Sequence, residues 1–245
     1  MSGHSKWSQI KRQKGAADVK RGASFSKLSN AIIVAAKNGG GDPGNNFTLK
    51  MAIERAKAVS MPKDTIERAI KRGTGEIAGA AIDEVLYEII ATDNVGILVE
   101  AATDNRNRTT AELKNVLTKC GGKLASSGAV SYQYNKMGKL LVEVGENPPA
   151  GGKEELELAL IDAGAEDFTE EDNAIAVYTK PNELELTKKA LEAQGLNILE
   201  AGLTYEPQST IKLEEKEKAD KMIKLMESLE DLEDVTAVYA NFELE

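Results

Sequence analysis

The sequence predicts a multidomain chain of α and α+β units: an N-terminal helical bundle, then two α+β domains, one ferredoxin-like (βαββαβ) and inserted in the other. Three observations lead there. Over the first 75 of the 245 residues, apolar side chains recur only at helical spacing. After Gly73-Thr74-Gly75 the period shortens to the alternation of strands. From residue 139 a complete six-element pattern appears, and it leaves one helix and one strand over at the end of the chain.

The bundle is expected from four short helices. Residues 8–20 carry Ile10, Ala17 and Val19 as sparse apolar positions; residues 25–37 place Phe25, Leu28, Ile32, Ala35 and Ala36 at spacings of three and four. Gly39, Gly40 and Gly41 and then Asp42-Pro43-Gly44 stop that helix. Leu49, Ile53 and Ala56 mark a third, and Pro62 opens a fourth over 62–72, with Ile66 and Ile70 inward and Gly73 ending it. None is long enough to persist alone, so they must pack together.

Strands follow at 87–92 and 97–103 around the turn Asp93-Asn94-Val95-Gly96, then a helix at 109–120 and a strand at 129–134. The six-element pattern reads strand 139–144, helix 153–163, strands 165–169 and 174–179, helix 183–194 and strand 197–205. Helix 214–229 and strand 235–242 have no partner unless they return to the earlier ββαβ stretch. The expected domains are therefore 1–79, 80–138 with 207–245, and an inserted 139–206.

Composition narrows the chemistry. Aromatics are only 4%, so the cores are built from aliphatic side chains. A single cysteine, Cys120, forbids an intrachain disulfide and suits a reducing compartment. A single histidine, His4, excludes a Cys/His zinc site and argues against a Cys-His or Ser-His catalytic pair. The expectation is a non-enzyme with no metal, no cofactor and no small-molecule substrate. The apolar run 31–36 is far short of the roughly 20 residues that span a bilayer. A cytoplasmic protein with no membrane partner is expected.

The net charge of −9 conceals an asymmetry. Residues 1–75 hold 15 Lys/Arg against 5 Asp/Glu, a net of +10; residues 76–245 hold 16 against 35, a net of −19. A basic device carried by an acidic body points to a polyanion as ligand. Its expected contacts begin with Lys6, Trp7, Lys11, Arg12, Lys14, Lys20, Arg21 and Lys27, where one acid, Asp18, competes before residue 30. Lys and Arg neutralise phosphates and release counterions, and the indole of Trp7 can stack on a base. Lys63, Arg68, Lys71 and Arg72 extend the set along the fourth helix.

A second contact is expected at Thr103-Asp104-Asn105-Arg106-Asn107-Arg108-Thr109. Thr109 and Glu112 have capping-box spacing, which starts the helix at Thr109 and leaves 104–108 as a loop before a helix N-terminus. Arg106 and Arg108 supply forked donors there for phosphate. The glycines at 39–41 are no phosphate cradle, because no strand precedes them and no Gly-Lys-Ser/Thr follows. The acids Glu166, Asp167, Glu170, Glu171 and Asp172 are expected at a solvated hairpin turn.

Gly-His-Ser-Lys-Trp at 3–7, Gly-Gly-Asp-Pro at 40–43, Met-Pro-Lys-Asp-Thr-Ile-Glu-Arg-Ala-Ile-Lys at 61–71 and Thr-Asp-Asn-Arg-Asn-Arg-Thr at 103–109 closely resemble the YebC/PmpR family. The resemblance covers the whole chain. It implies three domains, the third inserted in the second, and no known catalytic activity. It further implies one of two partners: promoter DNA, as for bacterial members described as transcriptional regulators, or the ribosome and its RNA, since some bacterial members are tied to the ribosome and mitochondrial relatives look like translational activators. A DNA-binding transcriptional regulator is the leading expectation, a ribosome-associated translation factor the second.

Overall fold

A computed structural model describes residues 21–144, 152–171 and 174–244, without the side chains of 21–24, 152 and 153. The helix expected over 8–20 lies outside them. The chain divides into two compact units, one of residues up to Tyr134 together with Pro207 onward, the other Asn135–Glu206.

In the first unit, helices α1 (Arg21–Gly39), α2 (Phe47–Ala58) and α3 (Lys63–Gly73) pack on one another. Gly40 ends α1 at φ 84°, and the Asn46 side chain caps α2 by accepting from the Leu49 N–H at 3.0 Å. The same Asn46 donates to the Ala35 and Gly40 carbonyls, both at 2.8 Å, so one buried amide ties the end of α1 to the start of α2. Gly73 has a second role beyond stopping α3. A Cβ there would lie 2.5 Å from the Ile33 carbonyl and 2.7 Å from Ala36 Cβ, so glycine permits the close approach of α3 to α1.

Strands β1 (Asp83–Ile90) and β2 (Gly96–Thr103) pair as an antiparallel hairpin from Asp83↔Thr103 to Ile90↔Gly96. Asp93 and Asn94 turn it with φ of 57° and 60°, the primed geometry that matches strand twist. Helix α4 (Arg106–Cys120) follows, then β3 (Lys123–Leu124), which joins the edge of β1. Beyond the second unit, helix α7 (Lys216–Glu230) and strand β9 (Val235–Ala240) return, and β9 lies antiparallel to β2. The sheet order is β3-β1-β2-β9. Leu113 and Leu117 of α4 and Met222, Leu225, Met226 and Leu229 of α7 share one core with Ile89, Ile97 and Val99.

The other side of β2 meets the bundle. Ala102 and Ile82 belong to the cluster built from Ile32, Ile33, Leu49, Ile53 and Ile66, so β2 is apolar almost throughout because it is covered on both faces. Asn30 donates to the Ala102 carbonyl at 3.3 Å and Lys37 to that of Ile82 at 2.9 Å. The helical module and the sheet thus share a hydrophobic cluster.

The strand expected at 129–134 is instead a turn and a short 3-10 segment, Ser131–Gln133. Buried Glu88 accepts the N–H groups of Gly128, Val130 and Ser131 at 2.6, 2.5 and 2.9 Å, which takes those donors from any ladder. Burial pushes the Glu88 carboxyl up, but the three backbone donors outweigh it and hold it below the usual range. The strand expected at 235–242 breaks at buried Asn241, whose Oδ1 accepts from the Gly96 N–H at 2.8 Å. Strand β10 (Phe242–Leu244) then runs parallel to β8 (Ile211–Leu213).

The second unit runs from β4 (Tyr134–Glu143) through α5 (Gly152–Asp162), β5 (Asp167–Glu171), β6 (Ala174–Thr179) and α6 (Leu184–Ala193) to β7 (Ile198–Pro207). Its sheet order is β5-β6-β4-β7, with the first and third strands of the motif adjacent at the centre, as a βαββαβ fold requires. Glu171, expected at a solvated turn, is buried instead and pairs with Lys139 at 3.0 Å across the sheet. Period-2 alternation puts residues 139 and 171 on the same face, which supplies the partner that a turn reading omits.

Candidate nucleic-acid interface

Helix α3 carries the clearest basic surface among the described residues. Ile66 and Ala69 turn inward at helical spacing, which leaves Lys63, Arg68 and Lys71 on the solvent side. Among the described residues Lys63 meets Glu67 at 3.5 Å, well exposed, an ion pair worth little in water. On α2, Leu49, Ile53 and Ala56 are buried while Lys50, Arg55 and Lys57 are exposed. Those three were not among the expected contacts, although the same helical periodicity would have placed them outside.

Arg72 behaves differently from its neighbours on α3. Its guanidinium turns back to donate to the Ala80 carbonyl at 2.8 Å, and its Nε is buried with no acceptor among the described residues. A Cβ at Gly79 would lie 2.6 Å from that Nε. Arg72 therefore holds the segment that leaves α3. Lys27 is also engaged, donating to the Glu230 carbonyl at the end of α7. Lys6, Trp7, Lys11, Arg12, Lys14 and Lys20 lie outside the described residues, as does the side chain of Arg21.

Of the loop expected at 104–108, residues 106–108 form the first turn of α4. Asn105 is its N-cap, accepting from the Arg108 N–H at 3.1 Å, so the helix opens three residues before Thr109. The capping-box reading failed because the Thr109 hydroxyl is committed elsewhere. It reaches Asp234 at 2.6 Å and Thr103 at 2.9 Å, inside a buried polar cluster. Arg108 binds both oxygens of Asp234 at 2.9 Å and Asp104 at 3.1 Å. Burial pushes the Asp234 carboxyl up, but bonds from Thr109, Arg108 and Thr103 outweigh it and hold it below the usual range. The same Asp234 raises the Arg108 guanidinium above its ordinary value.

Arg106 meets Asp83 at 3.2 Å, and Lys37 of α1 meets the same carboxylate at 3.3 Å. Hydrogen bonds from Lys37 and Arg106 hold Asp83 below the usual range. Arg106 is 62% exposed and Arg108 46%, so both reach solvent, but each is matched to a carboxylate. Between α1 and the start of α4 lies an open cleft of about 530 Å³. Its walls include Asn30 and Arg72 on one side and Asp104, Arg108, Glu112 and Asp234 on the other. A phosphate arriving there would compete with acids already in place.

Helices α2 and α3 are joined by residues 59–62, with Ser60 in the left-handed region at φ 60°. That connection has the length of a helix-turn-helix, for which the sequence shows no signature. Among the described residues, no three His, Cys, Asp or Glu side chains gather as metal ligands, and no helix is long and apolar enough to cross a membrane.

Known proteins match the chain along nearly its whole length. A family model described as "TACO1/YebC protein N-terminal domain" matches residues 5–76, and one described as "TACO1/YebC second and third domain" matches 82–242. A protein of Halothermothrix orenii is 46% identical over 244 residues, covering 100% of this chain and 96% of its own length. One of Moorella thermoacetica is 47% identical over 246 residues, with 100% and 96% covered. Each is named a "probable transcriptional regulatory protein". The crystal structure of a conserved hypothetical protein from Aquifex aeolicus superposes with a TM-score of 0.84 at 45% identity, over 93% of this chain and 92% of that one. Matched along almost its whole length in sequence and in fold, the chain belongs to the TACO1/YebC family.

Proposed function

We propose that the protein is a non-enzymatic regulator of gene expression that binds DNA through the outward face of α2 and α3, with the basic N-terminal residues adding affinity. The observation that carries this reading is the charge reversal, +10 over residues 1–75 against −19 beyond, with Lys63, Arg68 and Lys71 exposed on one helix. Phosphate neutralisation needs that surface and little else. The names of the relatives agree with it.

Arg106 and Arg108 are kept as a second contact, of which Arg106 is the more accessible. Both exchange a carboxylate partner for a phosphate when the ligand binds.

The test is filter binding of the full chain to duplex DNA and to ribosomal RNA across a salt series. Replacing Lys63, Arg68 and Lys71 by alanine should lower the slope of log K against log salt by roughly 2–3 on DNA, about 0.9 per phosphate contact. An unchanged slope would move the interface off α3. If Arg106→Ala with Arg108→Ala weakens ribosome binding far more than duplex binding, a translation factor replaces the transcriptional regulator.

A further inference from the structure

The outer surface of the Asn135–Glu206 unit plays no part in the reading above, and it has a chemistry of its own. A Cβ at Gly138 of β4 would lie 2.9 Å from Leu184, and one at Gly164 would lie 3.4 Å from the Thr187 hydroxyl. The first contact seats α6 on the sheet face that bears Leu140 and Val142; the second brings the end of α5 beside α6. Leu156 and Leu160 of α5 and Leu184 and Leu191 of α6 are the buried members of this layer.

The same two helices carry large aliphatic side chains on the opposite side. Leu158 is 61% exposed, Ile161 54% and Leu186 70%. Leu158 and Ile161 stand three residues apart, so they form one stripe along α5. Single exposed aliphatics are common, but Leu158 and Ile161 stand one turn apart on a helix whose Glu154, Glu155 and Asp162 are also exposed, and on α6 exposed Leu186 is followed one turn later by Lys189, already paired with Glu185 at 2.6 Å.

We propose that this α5/α6 face is a docking surface for a basic amphipathic helix of a partner protein. The commitment to a basic partner comes from charge. The unit holds 16 Asp/Glu against 6 Lys/Arg, a net of −10. That field repels nucleic acid and anionic lipid, and it opposes pairing of the face with itself. An incoming helix with leucines along one stripe and lysines or arginines beside them satisfies both features, the helix-in-groove mode of recognition. The inference rests on no part of the nucleic-acid reading, and either can fail alone.

The experiment is fluorescence anisotropy of the full chain with three labelled synthetic probes: a Leu/Lys amphipathic helix, a Leu/Glu helix of the same pattern, and a Lys/Ser peptide of equal charge without leucine. The Leu/Lys helix should bind best. Leu158→Ser with Leu186→Ser should weaken it by about tenfold or more, as the loss of buried leucine contacts implies. Glu154→Gln with Glu155→Gln, which keeps the apolar stripe, should weaken it less and reduce its salt dependence. Circular dichroism and melting of each variant verify the fold. Equal affinity of the native chain and the leucine variant would overturn the proposal. So would equal affinity for the Lys/Ser peptide, which would make the attraction charge alone. A native dimer in sedimentation that the leucine variant dissolves would assign the face to a second copy and also overturn it.

Discussion

Asp234→Ala tests whether the Thr103–Thr109 motif is a strut or a ligand site. Asp234 is buried and accepts from Arg108 at 2.9 Å, Thr109 at 2.6 Å and Thr103 at 2.9 Å. Hydrogen bonds to a charged group are worth about 1.5–3 kcal/mol each, so the gross loss is roughly 5–9 kcal/mol. Much of it is recovered. The Thr109 hydroxyl still has the Asn105 carbonyl at 3.1 Å, and the Thr103 hydroxyl still has Thr109. Arg108 keeps Asp104 and is half exposed, so water replaces part of what it loses. The expected net loss is about 3 kcal/mol, or roughly 6–12 °C in Tm for a unit of this size.

Calorimetry and urea unfolding measure that loss, and its pH dependence identifies the group. The folded Asp234 carboxyl is held below its ordinary value. Its contribution is therefore complete above the unfolded pKa of about 3.9 and disappears as pH falls through the folded value. The stability gap between the native chain and the variant should be flat from about pH 7 to 5 and close below about pH 4. Nucleic-acid affinity should hold or rise, because Arg108 loses a competing carboxylate. A loss under about 1 kcal/mol would refute the structural weight given to Asp234, and weaker binding by a fully folded variant would refute its role as a competitor for Arg108.

Two further substitutions probe positions the fold depends on. Gly73→Ala drives a Cβ against the Ile33 carbonyl, so it should cost about 1–3 kcal/mol in a thermal melt and loosen α1 from α3. Glu88→Gln removes the charge that holds Gly128, Val130 and Ser131; hydrogen exchange at those three amides should accelerate about tenfold or more, while amides of α3 stay unchanged.

The order of elements was legible because each strong segment carries its own period. Ala174–Thr179, whose bounds match the expected strand, is buried along its whole length and flanked by turn residues. What was illegible depended on distant partners. Nothing near Ala129-Val130 announces that Glu88, some 40 residues earlier, takes their backbone donors. Thr109 fits a capping box by spacing, but Asp234, 125 residues later, claims its hydroxyl, and Asn105 caps the helix instead. The site divides the same way. Lys63, Arg68 and Lys71 are outward by helical period alone, whereas Arg106 finds Asp83 and Arg108 finds Asp234 through tertiary contacts no local pattern contains.

The charge reversal near residue 75 suggests that the acidic remainder could be cut free and tested without the basic module. The packing argues otherwise. A fragment 76–245 would uncover Ile82 and Ala102, which are 4% and 3% exposed when the bundle covers them. It would also lose the Asn30 and Lys37 bonds to the carbonyls of Ala102 and Ile82. Exposing one isoleucine costs about 1.5–3 kcal/mol, and an alanine with two lost hydrogen bonds raises the total to roughly 3–5 kcal/mol. The fragment should therefore melt well below the full chain, with early exchange of the β2 amides. Loss of nucleic-acid binding in such a fragment would not by itself locate the interface. Point replacement of Lys63, Arg68 and Lys71 removes charge and leaves the Ile82–Ala102 contact intact. A fragment 76–245 as stable as the full chain would show that the bundle and the sheet fold independently despite their common core.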